Sequence, residues 1–315
     1  LLLSLLTKPS ADENGFSPEQ LSTEIRLTAE DIESEINDKR SYAMTRMLET
    51  MCADEIYGLT KNEILENVKK VTPQSLLAAW KFMLKNGIIQ LNAIGNISED
   101  DCKKKLREAF SDVGERTPYE PETVFVEEAE DLTELTEELT MNQSKLVLGF
   151  RGGMTDENDD FYSRRIMTDV FGGGPYSRLF MNVREKLSLC YYCSARLIRG
   201  KGIIVIQSGI EKENRQKVLD EINRQLDIMK NGEFSDEDFE ASKKAICDAY
   251  RSFNDTPDAL DIYYGTQLTG DIVTPDEAIE NFLAVTRDDV KKTACALSLD
   301  TVYMLAGTDK EDGAD

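Results

Sequence analysis

The sequence predicts an α+β protein made of two related units, each a mixed, mostly antiparallel sheet with helices packed on one face. Short apolar runs of strand length alternate with longer segments whose apolar residues recur at helical spacing, as in two-layer α+β folds. An internal repeat supports two units, because three residue pairs recur at one constant offset. The copies are Thr60 to Glu63 with Thr274 to Glu277, Glu66-Asn67 with Glu280-Asn281, and Val71-Thr72 with Val285-Thr286.

The first unit is expected to begin with an acidic helix over residues 28–51 and to continue with two capped helices and a strand. Thr60 can cap the first of these helices, and Thr72 can cap the second, with Pro73 at its first position. The strand that follows is expected to end at Gly95.

The second unit repeats this order after an earlier half that the first unit lacks. The strands of that half are expected over residues 145–150, 191–197 and 202–209. Its helices are expected over 161–171 and 218–229, with a further helix over 235–253. The repeated part then has helices capped by Thr274 and Thr286 and a strand that ends at Gly307.

These patterns divide the chain into residues 1–110, the C-terminal part of a first domain, a linker at 111–130, and a second domain at 131–315. The earlier half of the first domain is expected to precede Leu1 or to be missing. Residues 127–138 contain seven carboxylates, which favour a solvated linker or an edge strand, with a docking surface for a basic partner as the alternative.

The composition limits the classes of partner. Sixty acidic and 37 basic residues give a formal net charge of -23, a field that repels nucleic acids and anionic membranes. The apolar run at residues 1–6 is too short to span a bilayer. Six cysteines are too few for a fold built on disulfides, so we expect a cytoplasmic protein.

The chain contains no histidine, which removes Ser-His and Cys-His catalysis as well as histidine zinc motifs. Catalysis would have to come from carboxylates, Lys, Tyr or Cys, or from another subunit. The pair Cys190 and Cys193 is not expected to form a site, since residues three apart on a regular strand point to opposite faces.

The most informative segment is Gly172-Gly-Gly-Pro-Tyr-Ser-Arg-Leu-Phe-Met-Asn-Val-Arg-Glu-Lys-Leu-Ser-Leu-Cys-Tyr191. Gly172, Gly173 and Gly174 follow a helix and are expected to make a tight reversal at positive φ before a second helix. A nucleotide-binding phosphate loop is excluded, because no Gly-Lys-Ser/Thr follows and the glycines do not follow a strand.

This segment resembles the signature of the C-terminal half of pitrilysin/insulinase-type (inverzincin) peptidases, whose fold is shared with mitochondrial processing peptidase and LuxS. Residues 36–58 of the first unit are similar to the bacterial YfmF/YmfF type, a non-catalytic subunit. The resemblance implies that Arg184 and Tyr191 reach into the zinc site of a partner half, where Arg184 binds substrate carbonyls and Tyr191 donates to the oxyanion.

The resemblance also implies where a zinc ligand should stand. The third ligand of the active members, a glutamate, aligns near Thr28, whose hydroxyl cannot replace a carboxylate on zinc. A shifted alignment would bring Glu24 or Glu30 to this position instead. We therefore expect no metal or other cofactor in this chain and a zinc ion in its partner.

Three functions stay open at this point. The first is a non-catalytic subunit that assists a homologous zinc-bearing peptidase, as a heterodimer or by self-association, on a peptide substrate. The second is an active zinc metalloendopeptidase of which this chain is a fragment. The third is an assembly scaffold without a proteolytic role.

Overall fold

The structure is a computed structural model that describes residues 2–120, 124–153, 160–268 and 272–308. The chain forms two compact units. The first comprises Leu1–Ser34, Lys61–Glu122 and Tyr250–Asp276, and the second comprises Glu35–Thr60, Thr123–Ala249 and Glu277–Asp315.

The strands of the described residues are β1 (Ala11–Asp12), β2 (Gly15–Phe16), β3 (Thr133–Thr140), β4 (Ser144–Arg151), β5 (Cys190–Ile198), β6 (Ile203–Ile210) and β7 (Ser298–Thr308). The α-helices are α1 (Leu2–Thr7), α2 (Pro18–Ser34), α3 (Lys39–Met51), α4 (Lys61–Val68), α5 (Pro73–Asn86), α6 (Glu99–Phe110), α7 (Phe161–Gly172), α8 (Arg215–Asn231), α9 (Asp236–Ser252), α10 (Pro257–Gly265), α11 (Pro275–Ala284) and α12 (Arg287–Cys295). A π-helix covers Phe180–Lys186, and short 3-10 helices lie at Glu35–Asn37, Ile56–Gly58, Arg199–Lys201, Lys212–Asn214 and Phe253–Asp255.

The second unit contains a five-stranded sheet in the order β3-β7-β4-β6-β5. β3 runs parallel to β7, and the other three neighbouring pairs are antiparallel. The predicted α+β class with a mixed, mostly antiparallel sheet is therefore confirmed. The acidic run ends in β3, an edge strand whose residues are mostly exposed.

Helices cover both faces of this sheet. Alternation along β4 and β6 turns Val147 and Val205 toward α3, where they join a core with Met47 and Met51. The opposite face carries α7, which packs on β5, and α12, which packs on α7 and α8. Most of the second unit's helices lie on one face as predicted, while α3 adds a layer on the other.

The second unit confirms the predicted elements closely. The runs at 145–150, 191–197 and 202–209 are β4, β5 and β6, and the periodic segments at 161–171, 218–229 and 235–253 are α7, α8 and α9. α8 ends at Gly232, which adopts φ 77°. Thr286 caps α12 through a capping box with Asp289. Its hydroxyl accepts from the Asp289 backbone N–H, and the Asp289 carboxylate accepts from the Thr286 backbone N–H.

The predicted first domain, residues 1–110, departs from the sequence prediction in one helix and one strand. Instead of one helix over 28–51 there are two: α2 begins earlier, at Pro18, and ends at Ser34, and Asp38 then starts α3 by accepting from the N–H groups of Arg40 and Ser41. The strand expected before Gly95 is absent from the described residues. Within the part of the chain that the structure describes, residues 88–94 pair with no strand, and the Gln90 amide donates to the Tyr264 carbonyl at 2.9 Å.

The start of α5 agrees with the sequence prediction. Thr72 caps α5, with Pro73 at its first position, and α5 packs against β2. Gly15 of β2 adopts φ 112°, and a Cβ there would lie 2.4 Å from the carbonyl carbon of Pro73. Among the described residues, each helix is too short or too polar to span a bilayer.

The predicted domains 1–110 and 131–315 stay a prediction, since they rest on the repeat rather than on compactness. The compact units cut across them because residues 35–60, which include α3, pack against the five-stranded sheet. Residues 121–123 of the predicted linker and 309–315 of the predicted second domain lie outside the described residues.

Candidate functional site

The glycine stretch forms the end of α7. Gly172 lies so close to β5 that a Cβ on it would be 2.6 Å from the backbone nitrogen of Ala195. Gly173 has φ -82°, and none of the three glycines has positive φ, so the predicted reversal at positive φ is wrong. The glycines are required by close approach: a Cβ on Gly173 would lie 2.6 Å from the Cα of Asp169.

The helix that follows brings Arg184 next to the start of β5. Its π-helical part ends at Lys186, and the chain then turns through Ser188, which adopts the left-handed value φ 50°. The Ser188 N–H donates to the Arg184 carbonyl at 3.0 Å, and the Leu189 N–H donates to the Val183 carbonyl at 3.0 Å. This compact turn bridges the seven positions between Arg184 and Tyr191.

Arg184 and Tyr191, the two residues predicted from the family signature, line the same cavity. Its volume is about 430 Å³, and the remaining lining residues are Glu185, Ser188, Leu189, Cys190, Glu211 and Asn214. The Arg184 guanidinium lies 4.6 Å from the centre of the Phe180 ring, and its Nε is 3.6 Å from a carboxylate oxygen of Glu185. Since 42% of this side chain is exposed, its donors remain accessible.

Tyr191 occupies a bulge in β5. Cys190 pairs with Ile210 and Tyr192 pairs with Gly209, so the intervening Tyr191 has no partner residue on β6. Its side chain is 58% exposed, and its phenol donates to Glu211 at 2.5 Å. This hydrogen bond to a carboxylate raises the pKa of Tyr191, which keeps the phenol a proton donor.

Glu211 is a member of the site that the sequence did not reveal. It follows β6 directly, and the antiparallel pairing of β5 with β6 brings the end of one strand beside the start of the other. A predicted β5–β6 hairpin would have been enough to find it, because residue 211 then has to lie near residue 190.

The bulge also changes the positions of the two cysteines. Cys190 pairs with Ile210 and Cys193 with Ser208, so they are two steps apart on the ladder and lie on the same face of the sheet. The expectation that they point to opposite faces is therefore wrong. The interaction between the two thiols lowers the pKa of the Cys190 thiol and, together with burial, raises the pKa of the Cys193 thiol.

The residues aligned with the family's third zinc ligand do not present a metal site. Thr28, Glu24 and Glu30 are all exposed on α2, and Glu30 accepts a hydrogen bond from Arg26 at 2.7 Å. Among the described residues, no group of three or more Cys, Asp or Glu side chains is placed to hold a metal ion. A hydroxyl and separate solvated carboxylates do not fit zinc, which needs three or four converging N, S or O ligands.

Comparison with known proteins places these features in context. The family model described as "Peptidase M16 inactive domain" matches residues 70–246. The "Probable inactive metalloprotease YmfF" of Bacillus subtilis is 29% identical over 313 residues, which are 98% of this chain and 72% of the relative. An "Uncharacterized zinc protease" of Rickettsia felis is 22% identical over 178 residues, which are 56% of this chain and 42% of the relative.

Solved structures show the same fold. A conserved protein from Enterococcus faecalis superposes with a TM-score of 0.84 at 24% identity and covers 99% of this chain and 75% of its own. A peptidase M16 inactive domain from Pseudomonas fluorescens superposes with a TM-score of 0.75 at 14% identity and covers 99% and 76%.

Proposed function

The chain belongs to the peptidase M16 family, and we propose that it acts there as a non-catalytic subunit that lends Arg184 and Tyr191 to a homologous, zinc-bearing partner which cleaves peptides. The observation that carries this proposal is the cavity that both side chains line, with both of them accessible. The match to the M16 inactive domain and the likeness to a probable inactive metalloprotease support it.

Arg184 suits the role of a substrate-binding residue. A guanidinium carries five N–H donors in a fixed plane, which allows it to bind the carbonyl groups of an extended peptide. Contact with the Phe180 ring on one side and Glu185 on the other limits the rotamers of Arg184. A peptide therefore meets a donor that is already oriented.

Tyr191 suits the role of a donor to the oxyanion that develops at a scissile carbonyl. Its raised pKa keeps the phenol protonated, and its hydrogen bond to Glu211 orients it in the lining of the cavity. A substrate oxyanion would compete with Glu211 for the phenolic hydrogen. Donors aimed at a developing oxyanion each contribute about 10²–10³ in rate in other enzymes.

The proposed division of labour follows from the residues on α2, which do not fit zinc. The metal and the base that activates water would belong to the partner, and this chain would contribute binding and transition-state stabilisation. The partner is proposed to be a homologue, in a heterodimer or by self-association, and the substrate a short peptide.

The test mixes the full-length protein with its zinc-bearing homologue and follows peptide cleavage. Tyr191→Phe is expected to lower kcat by about 10²-fold because it removes an oxyanion donor, and Arg184→Ala is expected mainly to raise KM. Arg107→Ala and Tyr119→Phe, on exposed parts of the first unit, are matched controls that should leave cleavage unchanged.

Two results would contradict the proposal. Equal cleavage by the mixture with and without the two site substitutions would leave this chain as a scaffold. One zinc ion per chain in the isolated full-length protein, together with peptide cleavage in the absence of a partner, would show that it is an active metalloendopeptidase.

A further inference from the structure

A row of residues across the sheet of the second unit places an aromatic ring beside two cations. Lys145 on β4 pairs with Gly209 on β6, and Gly209 pairs with Tyr192 on β5. A Cβ on Gly209 would lie 2.5 Å from a ring carbon of Tyr192, so the ring occupies the space where a side chain would stand. The Lys145 Nζ is 5.9 Å from the centre of this ring, and the guanidinium carbon of Arg40 on α3 is 4.4 Å from it. Both cations therefore lie around one ring.

Arg40 is exposed but is held in place by neutral neighbours on the sheet. Its Nε donates to the side-chain oxygen of Gln207 at 3.3 Å, and its Nη2 donates to the Ser194 hydroxyl at 3.4 Å. The Gln207 amide donates in return to the Arg40 carbonyl at 3.4 Å. Among the described residues, these contacts leave three of the five N–H donors of the guanidinium without an acceptor. Arg40 is thus oriented and still able to bind a ligand.

Lys145 also has donors to spare. Its ammonium donates to the side-chain oxygen of Gln143, and its other two donors have no acceptor in the part of the chain that the structure describes. Over the same residues, neither Lys145 nor Arg40 forms an ion pair with a carboxylate, although the chain contains 60 acidic residues. Burial and the charge of Arg40 lower the pKa of Lys145. An anion bound by both side chains would relieve this repulsion.

Asp38 is the described carboxylate whose charge acts on Lys145, and its oxygens are already occupied. They accept from the backbone N–H groups of Arg40 and Ser41 and from the Ser41 hydroxyl, which caps α3. The charge of Asp38 is offset in part by the N-terminal end of α3, which carries about half a positive charge. More distant carboxylates are screened, because the Debye length is about 8 Å at physiological ionic strength. The two cations therefore dominate the local charge in a chain whose net charge is -23.

We propose that Arg40 and Lys145, supported by the Tyr192 ring, form a binding site for a doubly charged oxyanion of the phosphate class, either free phosphate or a phosphate monoester. Two cations match a phosphate group, whose charge near neutral pH is about -1.5 to -2, better than they match one carboxylate. The planar guanidinium can bind two oxygens at once, and the ammonium can bind a third as a compact charge. Binding at this site requires neither a partner subunit nor a peptide substrate.

Isothermal titration calorimetry of the full-length protein with inorganic phosphate, at constant ionic strength, tests the site. One saturable site per chain is expected. Arg40→Gln and Lys145→Gln should each weaken binding by about tenfold or more, because each removes hydrogen bonds to a charged ligand. Arg40→Lys keeps the charge but loses the planar group, so its affinity should lie between those of the wild type and Arg40→Gln. Lys217→Gln removes an exposed lysine on α8 and is the matched control, which should leave the affinity unchanged.

Methyl phosphate distinguishes the two sources of the ligand. Tighter binding of this ester than of inorganic phosphate would indicate a phosphorylated molecule, and the reverse order would indicate free phosphate. Either order supports the site, provided that Arg40→Gln weakens the binding of both.

Gly209→Ala tests the geometry of the site without changing its charge. The added Cβ would meet the Tyr192 ring and displace the support of both cations, so phosphate binding should weaken. Gly200→Ala is the matched control, since its Cβ would meet nothing within 4 Å. Tyr192→Leu removes the ring itself and should also weaken binding. This variant covers the case in which Gly209→Ala fails to fold, which circular dichroism would reveal.

The proposal is overturned if phosphate binding does not saturate at constant ionic strength, or if Lys217→Gln weakens it as much as Arg40→Gln does. Either result would mean diffuse electrostatic attraction. Equal affinity for acetate would exclude a site for a doubly charged ligand, and unchanged affinity in both Gly209→Ala and Tyr192→Leu would exclude the geometry described above. Because these measurements do not involve peptide cleavage, failure of this site would leave the proposed function intact, and failure of assisted cleavage would leave the site intact.

Discussion

At the scale of single residues, Gly172 shows how tightly the family signature is built into the second unit. The motif predicted that a glycine is needed here, but the need comes from contact between α7 and β5 rather than from the backbone angle. A signature read from sequence alone does not separate these two reasons, because both exclude a side chain.

We expect Gly172→Ala to lower the free energy of unfolding by about 1–3 kcal/mol, the usual cost of overpacking a core. The added Cβ would meet the Ala195 backbone, which cannot rotate away as a flexible side chain could. Gly200→Ala is the matched control, since its Cβ would meet nothing within 4 Å, and its effect should stay within about 0.5 kcal/mol. Urea denaturation of both variants gives the comparison, and equal losses would show that close approach is not the reason for Gly172.

Glu137 on β3 is expected to contribute to the pH dependence of stability in the second unit. Its carboxylate accepts hydrogen bonds from Arg46 at 2.6 and 3.0 Å, from Tyr303 at 3.0 Å and from Tyr42 at 3.2 Å. Burial alone would raise the pKa of Glu137, but the Arg46 hydrogen bonds and charge outweigh burial and lower it. The folded state therefore binds this proton more weakly than the unfolded chain does.

The sign of the pH effect follows from that lowered pKa. The stabilisation by Glu137 is fully present above the ordinary glutamate pKa of about 4.3 and is lost as the pH falls through the folded-state pKa. Glu137→Gln should lower stability near neutral pH and flatten its decline in acid, as measured by thermal unfolding at a series of pH values. The exposed Glu240→Gln is the control, and a curve for Glu137→Gln parallel to the wild type would contradict the assignment.

At the scale of elements, the sequence predicted the strands and helices whose own residues carry the signal. β4, β6 and α8 follow from apolar runs and helical spacing, and Thr72 and Thr286 cap helices as expected. The bulge at Tyr191 and the missing strand before Gly95 depend on neighbouring strands. Such pairing is not encoded within the segment itself, and for this reason the prediction about Cys190 and Cys193 failed.

A buried ion network fixes the segment after α3 to the sheet. Arg151 on β4 donates to Glu55 at 2.9 Å, to Asp300 on β7 at 2.8 Å and to the Met51 carbonyl at 2.6 Å. Lys201 also pairs with Glu55. The Arg151, Glu55 and Lys201 side chains are almost fully buried, so each charge depends on its partner.

Arg151→Met should therefore destabilise the second unit by about 3–5 kcal/mol, because it leaves Asp300 buried without its cation and Glu55 with one cation fewer. The matched control is Lys244→Met, which removes a solvated pair with Asp248 on α9 and should cost less than about 1 kcal/mol. Chemical denaturation of both variants measures the difference. Similar small losses of stability in both variants would mean that water replaces the ion pairs that Arg151 makes.

At the scale of the whole molecule, the site was predicted only in part. Arg184 and Tyr191 came from the family signature, and the structure places both at one cavity. Glu211 and the thiol pair emerge only when β5 and β6 are paired in register, since they are brought to Tyr191 by that pairing. The net charge of -23, in contrast, is visible in the sequence itself.

If the acidic field steers substrate, a peptide rich in Lys should be cleaved by the assisted peptidase with a KM that rises with ionic strength, since salt screens the attraction. The same peptide with Lys replaced by Gln should show little salt dependence. Four carboxylates that lie close together in the chain and are exposed before β3 would contribute to that field: Glu127, Glu128, Glu130 and Asp131. Neutralising these four should weaken the salt dependence. The matched control neutralises four carboxylates on α6, namely Glu99, Asp100, Asp101 and Glu108, which changes the net charge equally and leaves residues 127–131 intact. Identical behaviour of the two variants would assign the effect to net charge alone and exclude the acidic run before β3 as a docking surface.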